Sequence, residues 1–223
     1  MSSRIPTSRD KLERRKSLSS YLRTKTRCFP VILFETHSFS DMSSTKTDNR
    51  LLLPNMVLIA GNGRNVGKTT LACKIIKHLS FQHRIIGLKI SPHFHSYNTN
   101  EVFIETESFV ILQEKNKTSK DSSLMLQAGA QNVYYIMAKP ESLSDAINTL
   151  LPFLQQSLIV CESGGLHEIA QPGLFFFVNY NNQKIVKPQL LSYAPKQIQN
   201  NGKDFTLQVE NLTFSNNRIH LSA

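Results

Sequence analysis

The stretch that most narrows what this chain can fold into is Gly61-Asn-Gly63-Arg-Asn-Val-Gly67-Lys68-Thr69-Thr70. The chain has only nine glycines, and three fall here. A short apolar run, Met56 to Ala60, leads into it, and apolar residues at Leu71, Ala72, Ile75, Ile76 and Leu79 follow at helical spacing. A strand, a glycine turn and then a helix form the setting of a phosphate-binding loop. In such a loop successive backbone N–H groups cradle phosphate oxygens, and the helix N-terminus adds roughly half a positive charge. The whole stretch, Gly61, Asn62, Gly63, Arg64, Asn65, Val66, Gly67, Lys68, Thr69 and Thr70, is therefore the candidate nucleotide-binding segment. Lys68 is expected to bridge terminal phosphates and Thr69 to offer a hydroxyl to Mg²⁺. Each charge-assisted hydrogen bond is worth about 1.5–3 kcal/mol. Arg64 lies over the phosphates or faces solvent.

The remaining pattern predicts an α/β fold, a P-loop NTPase with a mostly parallel sheet, helices on both faces and a C-terminal β-hairpin. Arg84–Ile90 reads as a strand and Phe103–Leu112 as one or two more. Residues 120–130 read as a helix, Val133–Met137 as a strand, Glu141–Leu154 as a helix and Ser157–Cys161 as a strand. An aromatic run, Leu174–Val178, follows. Asn211–Phe214 and Arg218–Leu221 form the expected closing hairpin across Ser215–Asn217. Strands alternating with helices imply a parallel sheet buried on both sides. The stretch between Pro188 and Pro195 fits no element, and the role of residues 180–205 is open.

Charge divides the chain. Residues 1–50 carry 11 Lys+Arg against 5 acids, a net of +6, and residues 51–223 carry 15 against 11, a net of +4, together the formal +10. Residues 1–50 are rich in Ser, Thr and Arg, lack glycine and sustain no period, so a basic, disordered arm is the default reading, with residues 51–223 as the nucleotide-binding domain. A mitochondrial presequence, or a start at Met42 or Met56, are the alternatives. No apolar stretch approaches the ~18 residues of a spanning helix, so no membrane association is expected. Three well-separated cysteines (Cys28, Cys73, Cys161) exclude a disulfide scaffold and a cysteine zinc cage and suit a reducing cytoplasm.

Chemistry-bearing side chains recur at predicted strand ends, where parallel sheets hold their ligands. Lys89 ends the second core strand, available for an anionic group. His93 and His95 follow two apart, a metal or phosphate pair or plain surface histidines. The run Leu158–Cys161 ends in Glu162, the carboxylate a Mg²⁺ beside a phosphate loop needs, and Gly164 and Gly165 would let backbone approach a ligand. Lys120 and Asp121 could contact phosphate, metal or a second substrate, or Asp121 or Ser122 could simply cap the next helix. Lys68, Glu162 and Lys89 are the candidate catalytic residues.

In order and approximate spacing, Gly67-Lys-Thr-Thr-Leu71, Lys89 with His93 and His95, Lys120-Asp-Ser122 with Ala128-Gly-Ala130, and Leu158–Glu162 resemble the molybdopterin-guanine dinucleotide biosynthesis adaptor family, MobB. The resemblance covers about residues 56–178, and its specific part is the pairing of K-D-S with A-G-A. It implies a GTP-binding protein with weak hydrolysis that assists attachment of GMP to molybdopterin. A molybdenum cofactor guanylyltransferase or a cofactor-requiring enzyme would be its partner, and a homodimer is compatible with it. It carries Lys68 and Thr69 to the nucleotide, and Glu162 and Asp121 to Mg²⁺.

Three features depart from that pattern: a loop one residue longer, extra residues between Lys89 and the histidines, and Cys-Glu-Ser-Gly-Gly in place of E-G-F. The first and last are similar to dethiobiotin synthetase, whose loop runs G-x5-G-K-T with a valine at the place of Val66. That alternative is an ATP-dependent ligase or kinase, with Lys89 holding a small carboxylate or carbamate. A nucleic-acid-binding role for the basic arm ranks last: phosphate contacts alone are salt-sensitive and sequence-blind, and no nucleic-acid fold motif is present. Asn116-Lys-Thr-Ser119 begins like a guanine reader but has no acid in place, so GTP against ATP stays open.

Overall fold

The computed structural model describes residues 48–222. The expectations for the basic arm therefore lie outside the described residues, apart from 48–50.

The sheet starts from β1 (Leu51–Gly61), and the glycine turn leads from it into α1 (Lys68–Leu79) and then β2 (Ile85–Ser91). β3 (Val102–Glu105) and β4 (Phe109–Gln113) precede α2 (Asp121–Gln127), β5 (Asn132–Ala138), α3 (Leu143–Leu154) and β6 (Leu158–Glu162). The chain closes with β7 (Ala170–Tyr180), β8 (Lys196–Asn200), β9 (Leu212–Ser215) and β10 (Arg218–Leu221). Eight strands form one sheet in the order β3-β4-β5-β2-β6-β1-β7-β8, and β9 and β10 form a separate antiparallel hairpin. β4 runs antiparallel to both neighbours, and every other pairing in the large sheet is parallel.

Strict alternation along β1 explains the layering. Met56 and Leu58 point to a core closed by Leu143, Ala146, Ile147 and Leu150 of α3. Val57 and Ile59 point the other way, to a core closed by α1, by Met125 of α2 and by Leu212 and Ile219 of the hairpin. Helices thus cover both faces. The α1 residues read from the sequence as apolar at helical spacing are the ones the helix buries. Each large apolar side chain fully buried this way contributes roughly 1.5–3 kcal/mol. β6, between β2 and β1, is buried along its whole length, as a central parallel strand must be.

Several boundaries differ from the sequence reading. β1 begins at Leu51 rather than Met56, because the register against β7 shifts between Leu53 and Val57, where Pro54 needs no ladder hydrogen bond. Phe103–Leu112 resolves into two antiparallel strands. Neither Asp121 nor Ser122 caps α2: its N-cap is Lys120, with no side-chain cap bond, while Asp121 accepts from Lys89 and Ser122 donates to Glu114. β8 was not foreseen, because its sequence, Lys-Gln-Ile-Gln-Asn, buries only Ile198. Among the described residues no helix is long and apolar enough to cross a membrane.

Candidate functional site

Parallel pairing brings the carboxyl ends of β1, β2 and β6 side by side. Glu162 pairs in register with Ile59 of β1 on one side and with Lys89 of β2 on the other. The glycine turn, Lys89 and Glu162 therefore meet at one edge, the place where open α/β sheets leave a crevice. A cleft of about 1360 Å³ opens there. Of the stretch from Gly61 to Thr70, all but Gly61, Asn62 and Val66 line it.

Those three residues build the turn from behind. Val66 is buried and packs into the α1 core, so close to Gly61 that a Cβ there would meet its Cγ2 at 2.7 Å. Asn62 is only 5% exposed. Its Nδ2 donates to Asn179 Oδ1 (3.0 Å) and to the Lys184 carbonyl (2.9 Å), its Oδ1 accepts from Val186 N (2.7 Å), and its own N–H donates to Val178 O (2.9 Å). Asn62 thus spends its polar groups on the protein and fastens the turn to the segment after β7. The turn then passes through Asn65 (φ 59°) to Gly67 (φ 96°), a left-handed conformation that glycine adopts without strain.

Beyond that fastening, the turn leaves a row of donors free. Among the described residues, no protein acceptor bonds to the backbone N–H groups from Gly63 to Thr70; the first to be bonded is Leu71 N, to Gly67 O. The first turn of α1 has no acidic residue and no side-chain cap. Lys68 Nζ folds back to donate to Gly63 O at 2.6 Å. Burial pulls the Lys68 ammonium below the usual lysine value, Glu162 acts against this, and the positive charges of Lys89 and Lys187 act with it.

A chain of polar contacts crosses the cleft floor. Thr69 Oγ1 donates to Glu162 Oε2 (2.7 Å), and Glu162 Oε1 accepts from Lys89 Nζ (2.5 Å), which also donates to Asp121 Oδ2 (2.8 Å). Burial alone would lower the Lys89 value, but the Glu162 and Asp121 carboxylates outweigh it and hold the ammonium above the usual lysine range. Lys89 thus stands between two carboxylates, one on β6 and one opening α2. Thr69 and Glu162 offer two hard oxygens that suit Mg²⁺, which takes one or two protein ligands and completes its shell with phosphate and water. Among the described residues no group of three His, Cys, Asp or Glu could hold a metal ion.

The other predicted groups sort by position. His93 and His95 both line the cleft, exposed, with ring centroids 6.5 Å apart. Ser163 Oγ accepts from Gly165 N and Leu166 N, shaping the turn after β6, where Gly164 and Gly165 border open space. Cys73 also lines the cleft, but burial pushes its thiol up to about 11, so it is no thiolate nucleophile at neutral pH.

Sequence reasoning missed two contributors. Lys187 reaches the cleft from the unassigned stretch after β7. Asn200, at the end of β8, donates from Nδ2 to Val66 O at 3.0 Å, beside the Phe205 ring that lies against Gly67. Neither carries a local signal; proximity to the turn is created by the β7–β8 pairing. No family model, no curated protein and no solved structure matches this chain.

Proposed function

We propose that this chain is a P-loop NTPase that binds a nucleoside triphosphate with Mg²⁺ at the glycine turn and hydrolyses it slowly, GTP ahead of ATP, in a MobB-like role in guanylylation of the molybdenum cofactor. One observation carries the nucleotide reading: a run of backbone N–H groups from Gly63 to Thr70, at the uncapped N-terminus of α1, that no acceptor among the described residues pairs. Such a nest is an anion site by construction, since both the N–H groups and the helix dipole favour negative charge. In this reading the N–H groups take phosphate oxygens and Lys68 exchanges Gly63 O for the terminal phosphates. Thr69 and Glu162 would hold the Mg²⁺, which when bound supplies charge neutralisation at the phosphate oxygens. Lys89 keeps Glu162 oriented and Lys187 adds a further positive charge to the cleft wall. The preference for GTP, and the molybdenum cofactor role, rest on the resemblance of Lys120-Asp-Ser122 and Ala128-Gly-Ala130 to the MobB pattern.

A second reading, an ATP-dependent ligase or kinase resembling dethiobiotin synthetase, is favoured by the shape of the cleft. The cleft continues from the turn past Lys89 and His93 to Glu168, which leaves room for a small carboxylate substrate beside Lys89. Titrating GTP and ATP into the full chain, with and without Mg²⁺, separates the two. We expect Mg²⁺-dependent binding that Lys68→Ala weakens by about 10- to 100-fold, the equivalent of one charge-assisted hydrogen bond. Unchanged affinity in that variant would sink the assignment of the turn. ATP preference together with turnover that requires an added carboxylate would favour the ligase reading.

A further inference from the structure

The chain passes from β6 to β7 through a single 3-10 turn, Leu166–Glu168. His167, at its centre, is 2% exposed. Its ring lies nearly parallel to that of Phe175 in β7 (centroids 5.6 Å apart, 16°) and meets Tyr193 edge-on (4.5 Å, 83°). Tyr193 ends a second 3-10 stretch, Pro188–Tyr193. Arg50 joins the two: its guanidinium stands 5.2 Å from the Tyr193 ring centroid, and its Nη1 donates to the His167 carbonyl at 2.9 Å. The crossover after β6, the residue before β1 and the stretch after β7 thus close on one imidazole. Glu168, next to it in the chain, and Lys187, which leads into Pro188–Tyr193, both line the main cleft.

An imidazole is a poor match for this place. Its Nδ1 is buried, and no described residue hydrogen-bonds it. A phenyl ring would stack as well and leave no polar atom without a partner. What the imidazole adds is a proton that it takes near neutral pH. The groups around it oppose that proton. Arg50, itself paired with Asp48, and Lys187 are positive, Tyr193 and Phe175 bring only aromatic rings, and the Glu168 carboxylate lies 4.0 Å from Nε2 on an exposed side chain. Burial holds the imidazole below the usual histidine value; Glu168 acts against this, and Arg50 and Lys187 act with it. The unfolded chain takes the proton near pH ~6.5, so the stack's contribution is complete above that pH and is lost as pH falls through the lower folded value.

We infer that His167 is an acid-released latch: neutral, it holds Pro188–Tyr193 and Arg50 closed on the crossover, and protonated, it leaves the stack on the side of the Glu168 carboxylate and lets Tyr193 go. The cleft wall that carries Lys187 loosens with it. The inference stands on the packing around His167 and does not depend on what binds at the glycine turn.

The test follows the full chain, without nucleotide, from about pH 8 to about pH 5 by NMR. It reads the His167 ring, the Tyr193 ring, and the exchange of the Leu190 and Ala194 amides, which donate to Lys187 O and Leu191 O. With the intrinsic pH dependence of exchange removed, protection of both amides is expected to hold above pH ~6.5 and to fall several-fold below it, the Tyr193 signals moving with the His167 titration. In His167→Phe, which keeps a ring in the stack and removes the proton, protection should stay level. Tyr193 signals indifferent to the His167 titration overturn the proposal, as does protection that never falls in the unmutated chain. An equal fall in His167→Phe overturns it too. The ring signals are read on the unmutated chain, so they decide the matter even if the variant fails to fold.

Discussion

An added methyl at Gly67 would run into Asn200 Nδ2 and meet the Phe205 ring at 3.2 Å, whereas at Gly164 and Gly165, one strand over, it would meet nothing within 4 Å. Gly67 also holds φ at 96°, while Gly165 sits at φ −130°, open to any residue. The first turn is thus enclosed by its own protein, with Val66 beneath it, Asn62 tied to the segment after β7, and Asn200 and Phe205 pressed against it. The second is open toward the cleft. The contrast teaches that glycines in two turns at one cleft answer to different constraints, packing in one and access in the other.

Three substitutions sharpen or break that contrast. The largest effect is expected for Gly67→Ala. Left-handed backbone costs an alanine roughly 1–2 kcal/mol and overpacking adds a similar amount, so a loss of about 2–4 kcal/mol is expected in urea denaturation. An unchanged midpoint would show that the turn is not held as described. Asn62→Ala comes next. It leaves the Lys184 carbonyl and Val186 N without their partner and takes one of two donors from Asn179 Oδ1, which should cost about 1–3 kcal/mol. Full stability in a thermal melt would remove Asn62 as the fastener. Gly165→Ala should do least, a gain of about 0.4–1 kcal/mol from the restricted unfolded chain, since its native conformation and surroundings accept a methyl. A clear loss of stability there would mean that the second turn is as tightly built as the first.

The element types were largely legible because apolar periodicity speaks locally. Leu71, Ala72, Ile75, Ile76 and Leu79 announce α1, the unbroken run in β6 announces a central strand, and Ser215–Asn217 announces the hairpin turn. β8 was illegible, because an edge strand with one buried side chain has no period to read. The same holds for the site. The glycine turn and Glu162 stand out by composition and by position at a strand end. Lys187 and Asn200 do not, since each matters only through what the β7–β8 pairing sets beside it. Asn62 reads from the sequence as one more member of the nucleotide-binding stretch, and its burial follows from contacts with residues 117 to 124 positions away.

What the sequence determined by itself was therefore local: a strand, a glycine turn and a helix in that order, a lysine near the end of one apolar strand and a glutamate at the end of another, and the buried face of α1. These follow from side-chain periodicity and backbone freedom within a few residues. The tertiary structure alone decided that Lys89 would lie between Glu162 and Asp121, and that the N–H groups from Gly63 to Thr70 would find no acceptor among the described residues. Those are properties of long-range register and packing, set by which strands pair rather than by any one of them.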